Sequence, residues 1–379
     1  MLRTLTKLID QGIRVNIFTD FESDLQNEHQ IKNTELIPAP RGIKSYLLFC
    51  LYSVVYKLFG FVPKRFRKLI RAISDSNLII DLSGFALTDD FGKNSGTYRG
   101  IIFLLQAFCA KVIFRKKYFI FPQSFGPFRR KLNKMIARII ILMADLVFVR
   151  GRRSYKYIGC ETRDNIRTID LVFHKSFIDS YKSQLNCQKH NKKYVLLNPN
   201  SRIYHKEKKQ NKTDYISFLE EIIRYYLDRN MLVVLTPNEI RDFEEDDVYL
   251  CNRLADKFKG RKVRVNTNLE ISHLLKLIQN AHYVIVSRFH LMIFSLITNT
   301  PLIVLSWSDK YLDIMETFGM EKYCLKNFSK FFDVVSGLEE SLSEIKRSIR
   351  VNLACIQEKI HKDILENPTL RNSRMFINV

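Results

Sequence analysis

Two α/β domains, each an open parallel sheet covered by helices, are the fold this sequence predicts. Three observations lead there. The chain has 379 residues, enough for two domains at roughly 100–200 residues each. Short apolar runs alternate with helical stretches along both halves. Such continuous runs suit strands buried on both faces of a parallel sheet. The alternation stops once, at the polar stretch Cys187–Lys193 (CQKHNKK), and then restarts. The boundary is placed there, giving an N-terminal domain over 1–186 and a C-terminal domain over 187–379.

In chain order, Thr4–Ile9 reads as the end of a helix that Gly12 stops, and Arg14–Thr19 as a strand. Asn77–Leu82 is an apolar strand ending at Ser83-Gly84, and Tyr98–Ala110 a helix. Val112–Phe114 and Tyr118–Phe121 read as strand pieces, Lys131–Met143 as a helix with one apolar side, and Leu146–Val149 as a strand. The second half gives strands at Tyr194–Leu197, Leu232–Leu235, Val263–Val265, Val284–Val286 and Leu302–Leu305. Helices separate them at Tyr215–Asp228, Asp246–Phe258, Leu274–Asn280 and Leu291–Ile297. Two successive Rossmann-like domains facing a cleft make a GT-B type of architecture. The halves also echo each other, Ala144–Arg150 (ADLVFVR) against Ala281–Arg288 (AHYVIVSR). In each, a buried strand carries an arginine at its carboxyl end, the end that faces ligand in open α/β sheets.

Composition narrows the classes. Hydrophobic residues are 46% and aromatics 12%, too many for a disordered chain. Lys+Arg number 61 against 39 Asp+Glu, a net charge of +22, so an anionic partner is expected. The seven cysteines, at 50, 109, 160, 187, 251, 324 and 355, contain no C-x-x-C. Reduced thiols of a cytosolic protein fit that scatter better than a disulfide framework or a zinc site. The N-terminus, MLRTLTKLIDQG, lacks the apolar core of a signal peptide. Tyr46–Val62 is the most membrane-like stretch, but Ser53, Lys57 and Gly60 interrupt it.

The sharpest local signal is Ser287-Arg288-Phe289-His290, where a strand gives way to a helix. A helix N-terminus attracts anions, Arg288 adds a planar fork, and His290 can move a proton near neutrality. Pro122–Pro127 (PQSFGP) would present Gln123 and Ser124 at a strand end, or serve as a rigid connection. In Asp81–Asp89 (DLSGFALTD), Ser83 and Gly84 permit close backbone approach, and Asp89 reads as a base or a helix cap. Arg150, Arg202 and Lys310 each follow a strand and read as ligand cations or solvated charges; Ser154 reads as a helix cap. The other histidines, at 29, 174, 190, 205, 273, 282 and 361, show no metal-ligand spacing. There is no Walker loop, no G-x-G-x-x-G and no G-x-S-x-G.

Taken in order, S-G-F-A-L-T-D, P-Q-S-F-G-P, A-D-L-V-F-V-R…S, S-R-F-H, P-L-I-V-L and D-K resemble the polysaccharide pyruvyl transferases, from about Ser76 to Gly319. The resemblance implies a GT-B enzyme that moves the enolpyruvyl group of phosphoenolpyruvate to a sugar and forms a ketal. It implies Arg288 and His290 at phosphoenolpyruvate, with Arg202 and Lys310 as further cations; no cofactor beyond that donor is expected, and the residues name no metal ligand, so a metal is neither required nor excluded. His290 would be proton donor or phosphate ligand, and Asp89 the base for the sugar hydroxyl. Family members open with a strand and a Gly-rich turn, whereas this chain begins at what reads as the following helix. The first strand of the sheet is accordingly expected to be missing. The alternatives are a GT-B glycosyltransferase using a nucleotide sugar and a non-catalytic binder of anionic surfaces. No specific nucleic acid is expected. The acceptor would be a glycan, lipid-linked or free, of a surface or capsular polysaccharide precursor. Clusters such as Lys64–Lys68 and Arg129–Lys131 exceed what one small substrate needs. They predict peripheral attachment to the anionic cytoplasmic face of a membrane.

Overall fold

The computed structural model describes residues 14–19, 34–159, 165–181, 185, 194–208, 215–239 and 245–373. The chain divides into two compact units, residues 1–176 with 358–379, and residues 177–357. The division thus falls before the expected 186/187 boundary, and the C-terminal residues from Glu358 on group with the first unit rather than the second. The polar stretch Cys187–Lys193 and the helix expected at Thr4–Ile9 lie outside the described residues.

In the first unit, β1 (Val15–Thr19) and β2 (Thr34–Pro38) form a parallel pair. β3 (Leu78–Asp81), β4 (Lys117–Gln123), β5 (Leu146–Arg150) and β6 (Asn165–Thr168) form a separate parallel sheet in that order. Parallel neighbours need crossovers, and helices supply them. After β2 come α1 (Gly42–Phe59) and α2 (Lys64–Asp75); α3 (Lys93–Phe108) follows β3, α4 (Lys131–Met143) β4 and α5 (Arg152–Ile158) β5. Apolar strand residues such as Ile120, Val147 and Val149 pack with Ile136, Ala137 and Ile140 of α4. A second cluster joins Phe49 of α1, Ile70 of α2 and Phe114. The β3 edge is not paired with β1. A cavity of about 2050 Å³ is lined by Ile17 and Phe18 of β1 and by Ile79, Ile80 and Asp81 of β3.

One expected strand is absent. Cys109–Ile113 continues α3 as a π-helical turn, so Val112–Phe114 is not a strand. Ile113 and Phe114 pack with the cluster that includes Phe49 and Ile70 while Val112 is exposed, and length alone could not separate the two readings. β4 runs through Pro122 because the β4–β5 register shifts between Ile120 and Gln123. An irregularity there tolerates a residue with no N–H to give.

The second unit holds a six-stranded parallel sheet. Its strands are β7 (Tyr194–Asn198), β8 (Leu232–Leu235), β9 (Val263–Val265), β10 (Tyr283–Val286), β11 (Leu302–Leu305) and β12 (Cys324–Leu325). Their order is β12-β11-β10-β7-β8-β9. The helices between them are α6 (Ser201–Lys208), α7 (Tyr215–Asp228), α8 (Asp247–Lys257), α9 (Ile271–Gln279), α10 (Phe289–Ile297) and α11 (Asp309–Thr317). β7, β10 and β11 are buried along their whole length, which accounts for their unbroken apolar sequences.

Candidate functional site

Ligands of open parallel sheets bind outside the strand carboxyl ends, where the strand order reverses. In the second unit that reversal falls between β7 and β10, which lie side by side. β7 ends on Asn198. Its Oδ1 accepts the backbone N–H groups of Ser287 (3.3 Å) and Arg288 (2.9 Å), and its Nδ2 donates to Thr236 O at 2.8 Å. Asn200 Nδ2 donates to Ser287 O at 2.6 Å, and the Tyr311 hydroxyl donates to the same carbonyl at 2.9 Å. Side-chain amides thus satisfy buried backbone groups that no strand partner can reach. That is the local reason for the Asn198-Pro-Asn-Ser201 sequence.

Arg288, expected from the sequence to clamp an anion, spends its fork on the protein. It is only 6% exposed. Nε donates to Asp247 Oδ2 at 2.8 Å, and Nη2 donates to Asp247 Oδ1 at 2.5 Å and to Ser201 Oγ at 2.9 Å. Nη1 donates to Glu239. Burial works against the charge, but the hydrogen bond and field of Asp247, with the field of Glu239, outweigh it. The guanidinium is held above its ordinary pKa. Asp247 also accepts the N–H groups of Ser201 (2.9 Å) and Glu239 (3.0 Å). Arg288 is therefore an internal brace joining α6, α8 and the loop after β8.

The other three predicted residues of this unit lie around that brace. Arg202, in the first turn of α6, donates from Nε (3.1 Å) and Nη2 (2.9 Å) to Glu239. Glu239 is thereby shared between Arg202 and Arg288. The Arg202 guanidinium lies 5.9 Å from the ring centre of Trp307. Lys310 Nζ lies 5.0 Å from the Phe289 ring centre and 5.1 Å from that of Trp307. His290 is exposed in the first turn of α10, edge-on to Phe289 at 5.9 Å. Trp307 donates from Nε1 to the Tyr311 hydroxyl at 2.8 Å. Two cations and an imidazole are thus gathered around two aromatic rings, beside the N-terminus of α10.

The first-unit residues form a different arrangement. Arg150 is buried; it donates from Nε to Ser124 Oγ at 2.8 Å, from Nη2 to Gly84 O at 2.9 Å, and from Nη1 to Asp170. Gly84 O also accepts Ser124 N at 2.9 Å. The motifs around Gly84, Ser124 and Arg150 therefore knit the ends of three strands together. Ser83 is exposed, with its N–H on Asp81 Oδ1 at 2.8 Å. The Gln123 amide is fully buried, and neither of its polar atoms has a hydrogen-bond partner among the described residues. Ser154 does not cap its helix. It lies inside α5, where its Oγ accepts Phe125 N at 3.0 Å. Gly126 has φ +69°, and a Cβ there would lie 2.7 Å from the Tyr157 ring, so glycine is required.

Asp89 must be corrected from base to cap. It is 0% exposed. Its Oδ2 accepts the N–H groups of Arg129 (2.5 Å) and Arg130 (3.0 Å), and Asn133 Nδ2 donates to its Oδ1. These are groups at the start of α4, which a carboxylate stabilises through hydrogen bonds and the helix dipole. So enclosed, it has no access to a sugar hydroxyl.

Sequence reasoning missed Glu239, Asp247, Asn198, Trp307 and Tyr311. The signals present were the acidic pair Asp246-Asp247 opening α8 and the lone tryptophan three residues before Lys310. Among the described residues, no group of His, Cys, Asp and Glu is arranged to hold a metal ion.

Two Rossmann-like α/β units define a GT-B-type fold, and solved structures of that type are similar to this chain. The Anabaena protein HepE, solved with UDP-glucose, is 11% identical over 98% of this chain and 94% of its own, with a TM-score of 0.55. S. aureus MnaA, solved with UDP, is 12% identical over 89% of each chain, with a TM-score of 0.50. No curated protein sequence matches. The family model described as polysaccharide pyruvyl transferase matches residues 33–309, and the chain belongs to that family.

Proposed function

We propose that this protein transfers pyruvate from phosphoenolpyruvate to a sugar of a surface or capsular polysaccharide precursor, forming a ketal. The observation that carries the reading is the gathering of Arg202, Lys310 and His290 around Phe289 and Trp307. A donor with a phosphate and a carboxylate needs more than one cation, and a helix N-terminus adds to them. Phosphoenolpyruvate would replace Glu239 at Arg202, while Arg288 keeps its place as a brace. His290 would give a proton to the enol C3 as a C–H bond forms there. A sugar hydroxyl oxygen then bonds to C2 and loses its proton. The C2–O bond to phosphate breaks, phosphate leaves, and a second sugar hydroxyl closes the ketal on C2 with loss of its own proton. The reaction is redox-neutral. Asp89 takes no part, and the second unit is read as the donor side and the first as the acceptor side. The acceptor is a glycan, lipid-linked or free, met at the cytoplasmic face of a membrane.

The test is phosphate release from phosphoenolpyruvate with candidate glycans. Release that requires a glycan, and that is lost in His290→Ala, supports the reading. Full activity and unchanged donor affinity in His290→Ala would remove His290 from it. The structures solved with UDP-glucose and UDP favour one alternative, a nucleotide-sugar glycosyltransferase of the same fold. Thermal protection by UDP-glucose but not by phosphoenolpyruvate would select that alternative. Donor binding without turnover on any glycan would select a binding protein.

A further inference from the structure

The helices α1, α3 and α4 of the first unit carry an apolar surface that the site does not use. α3 lies between the other two and packs on both. On α1, Leu47, Leu51, Val54 and Leu58 are 39–68% exposed. Their spacing of four, three and four residues puts them on one side of the helix. The opposite side, with Tyr46, Phe49, Cys50 and Ser53, is buried in the unit's own core. On α4, Leu132, Met135, Ile139 and Leu142 repeat the pattern at 37–70% exposure, opposite buried Ile136 and Ile140. Between them, Tyr98 and Phe108 of α3 and Val112 of the π turn are 41–53% exposed. A soluble helix normally turns charged residues outward and apolar ones inward. Here both sides of α1 and α4 are largely apolar.

Charge identifies what covers this face. None of the three helices contains an Asp or a Glu. Their exposed charges are cations, Lys44 and Lys57 on α1 and Lys131, Lys134 and Arg138 on α4. α2, which packs on α1, adds exposed Arg65; its Lys64, Arg67 and Lys68 line the cavity instead, Lys68 paired with Glu35 at 2.9 Å. A second copy meeting this face through a two-fold axis would bring cations onto cations with no carboxylate between them. An anionic bilayer offers hydrocarbon to the leucines and phosphate to the lysines.

We propose that the outward face of α1, α3 and α4 docks on an anionic lipid bilayer, with the helices in the interface plane. α1 is long and apolar enough to span, but its buried side fixes it to the core, so it lies on the membrane. Docking of this kind is independent of the reaction proposed above.

The experiment is vesicle co-sedimentation of the full chain. Vesicles of phosphatidylcholine alone are compared with vesicles containing roughly 30% phosphatidylglycerol, at roughly 0.1 M and 1 M NaCl. Pelleting with the anionic vesicles, weakened by salt, is expected. Leu51→Glu with Leu58→Glu, or Met135→Glu with Leu142→Glu, should lower binding at least about tenfold. Lys44→Glu with Lys134→Glu should lower it roughly fivefold or more per site. The last pair leaves every apolar contact in place, and circular dichroism checks that each variant is folded. Binding equal to the parent in all folded variants overturns the proposal, as does absence of pelleting by the parent. A stable dimer that the same leucine substitutions dissolve also overturns it, since the face would then be a subunit interface.

Discussion

Arg288 and Asp247 form a two-point ion pair, Nε to Oδ2 at 2.8 Å and Nη2 to Oδ1 at 2.5 Å, with Asp247 wholly buried. It ties the loop after β10 to the first turn of α8. Removing one partner strands the other charge in the interior, at a cost of about 3–5 kcal/mol. Arg288→Ala should therefore lower the unfolding free energy read from urea titration by that much, with or without substrate, and move the midpoint down accordingly. Arg288→Lys should recover only part, because a lysine cannot make the two-point contact. An unchanged midpoint would mean that Arg288 is free to serve a ligand.

Asp89 should behave as a structural group. Asp89→Ala leaves two backbone N–H groups and the Asn133 amide without their acceptor, at about 1–3 kcal/mol. Denaturant titration reads this, and affinity for phosphoenolpyruvate should not move. A catalytic base would give the reverse, an intact midpoint with a collapsed turnover.

Gly96→Ala gives a related check. Alanine is favoured over glycine inside a helix by about 1 kcal/mol. A Cβ at Gly96 would lie 2.6 Å from Asp89 Oδ1 and 2.8 Å from the Thr88 carbonyl oxygen. The backbone contact cannot rotate away, and overpacking costs about 1–3 kcal/mol. Net destabilisation is expected, read as a lower melting temperature.

Trp307 is the single tryptophan of the chain and lies within the ring-and-cation cluster. Its fluorescence should change on titration with phosphoenolpyruvate. Lys310→Met should weaken that titration about 10- to 100-fold, the worth of a hydrogen bond to a charged group. A signal with the same midpoint in Lys310→Met would place the donor elsewhere.

Asp81 supplies a pH test. Burial raises its pKa, against the N–H of Ser83 and the phenol of Tyr118, which lower it. An acid with a raised folded pKa holds more protons folded than unfolded between the two values. Stability then falls as pH rises from the unfolded value, about 3.9, through the folded one. Parent melting temperatures should decline against those of Asp81→Asn as pH rises from about 4. Parallel curves would show an ordinary carboxylate.

The alternation of apolar strands and helices was legible because burial on both faces leaves a mark on every residue of a strand, as along Val284–Val286 and Leu302–Leu305. The places of Arg202 and Lys310 were legible for the same reason, since residues after the buried strands β7 and β11 must stand near their carboxyl ends. Roles were harder to read. Arg288, Asp89 and Arg150 look like ligands in the sequence, because chemistry and bracing use the same side chains. Only tertiary structure puts Asp247 against Arg288, 41 positions away, and the Arg129 and Arg130 amides against Asp89, 40 and 41 positions away. Sequence by itself determined what kind of sheet these residues build and which loops carry cations. Which of those cations are spent inside the protein was decided by the fold, because a charge is neutralised by whatever lies within a few ångströms and the order of the chain does not encode that distance.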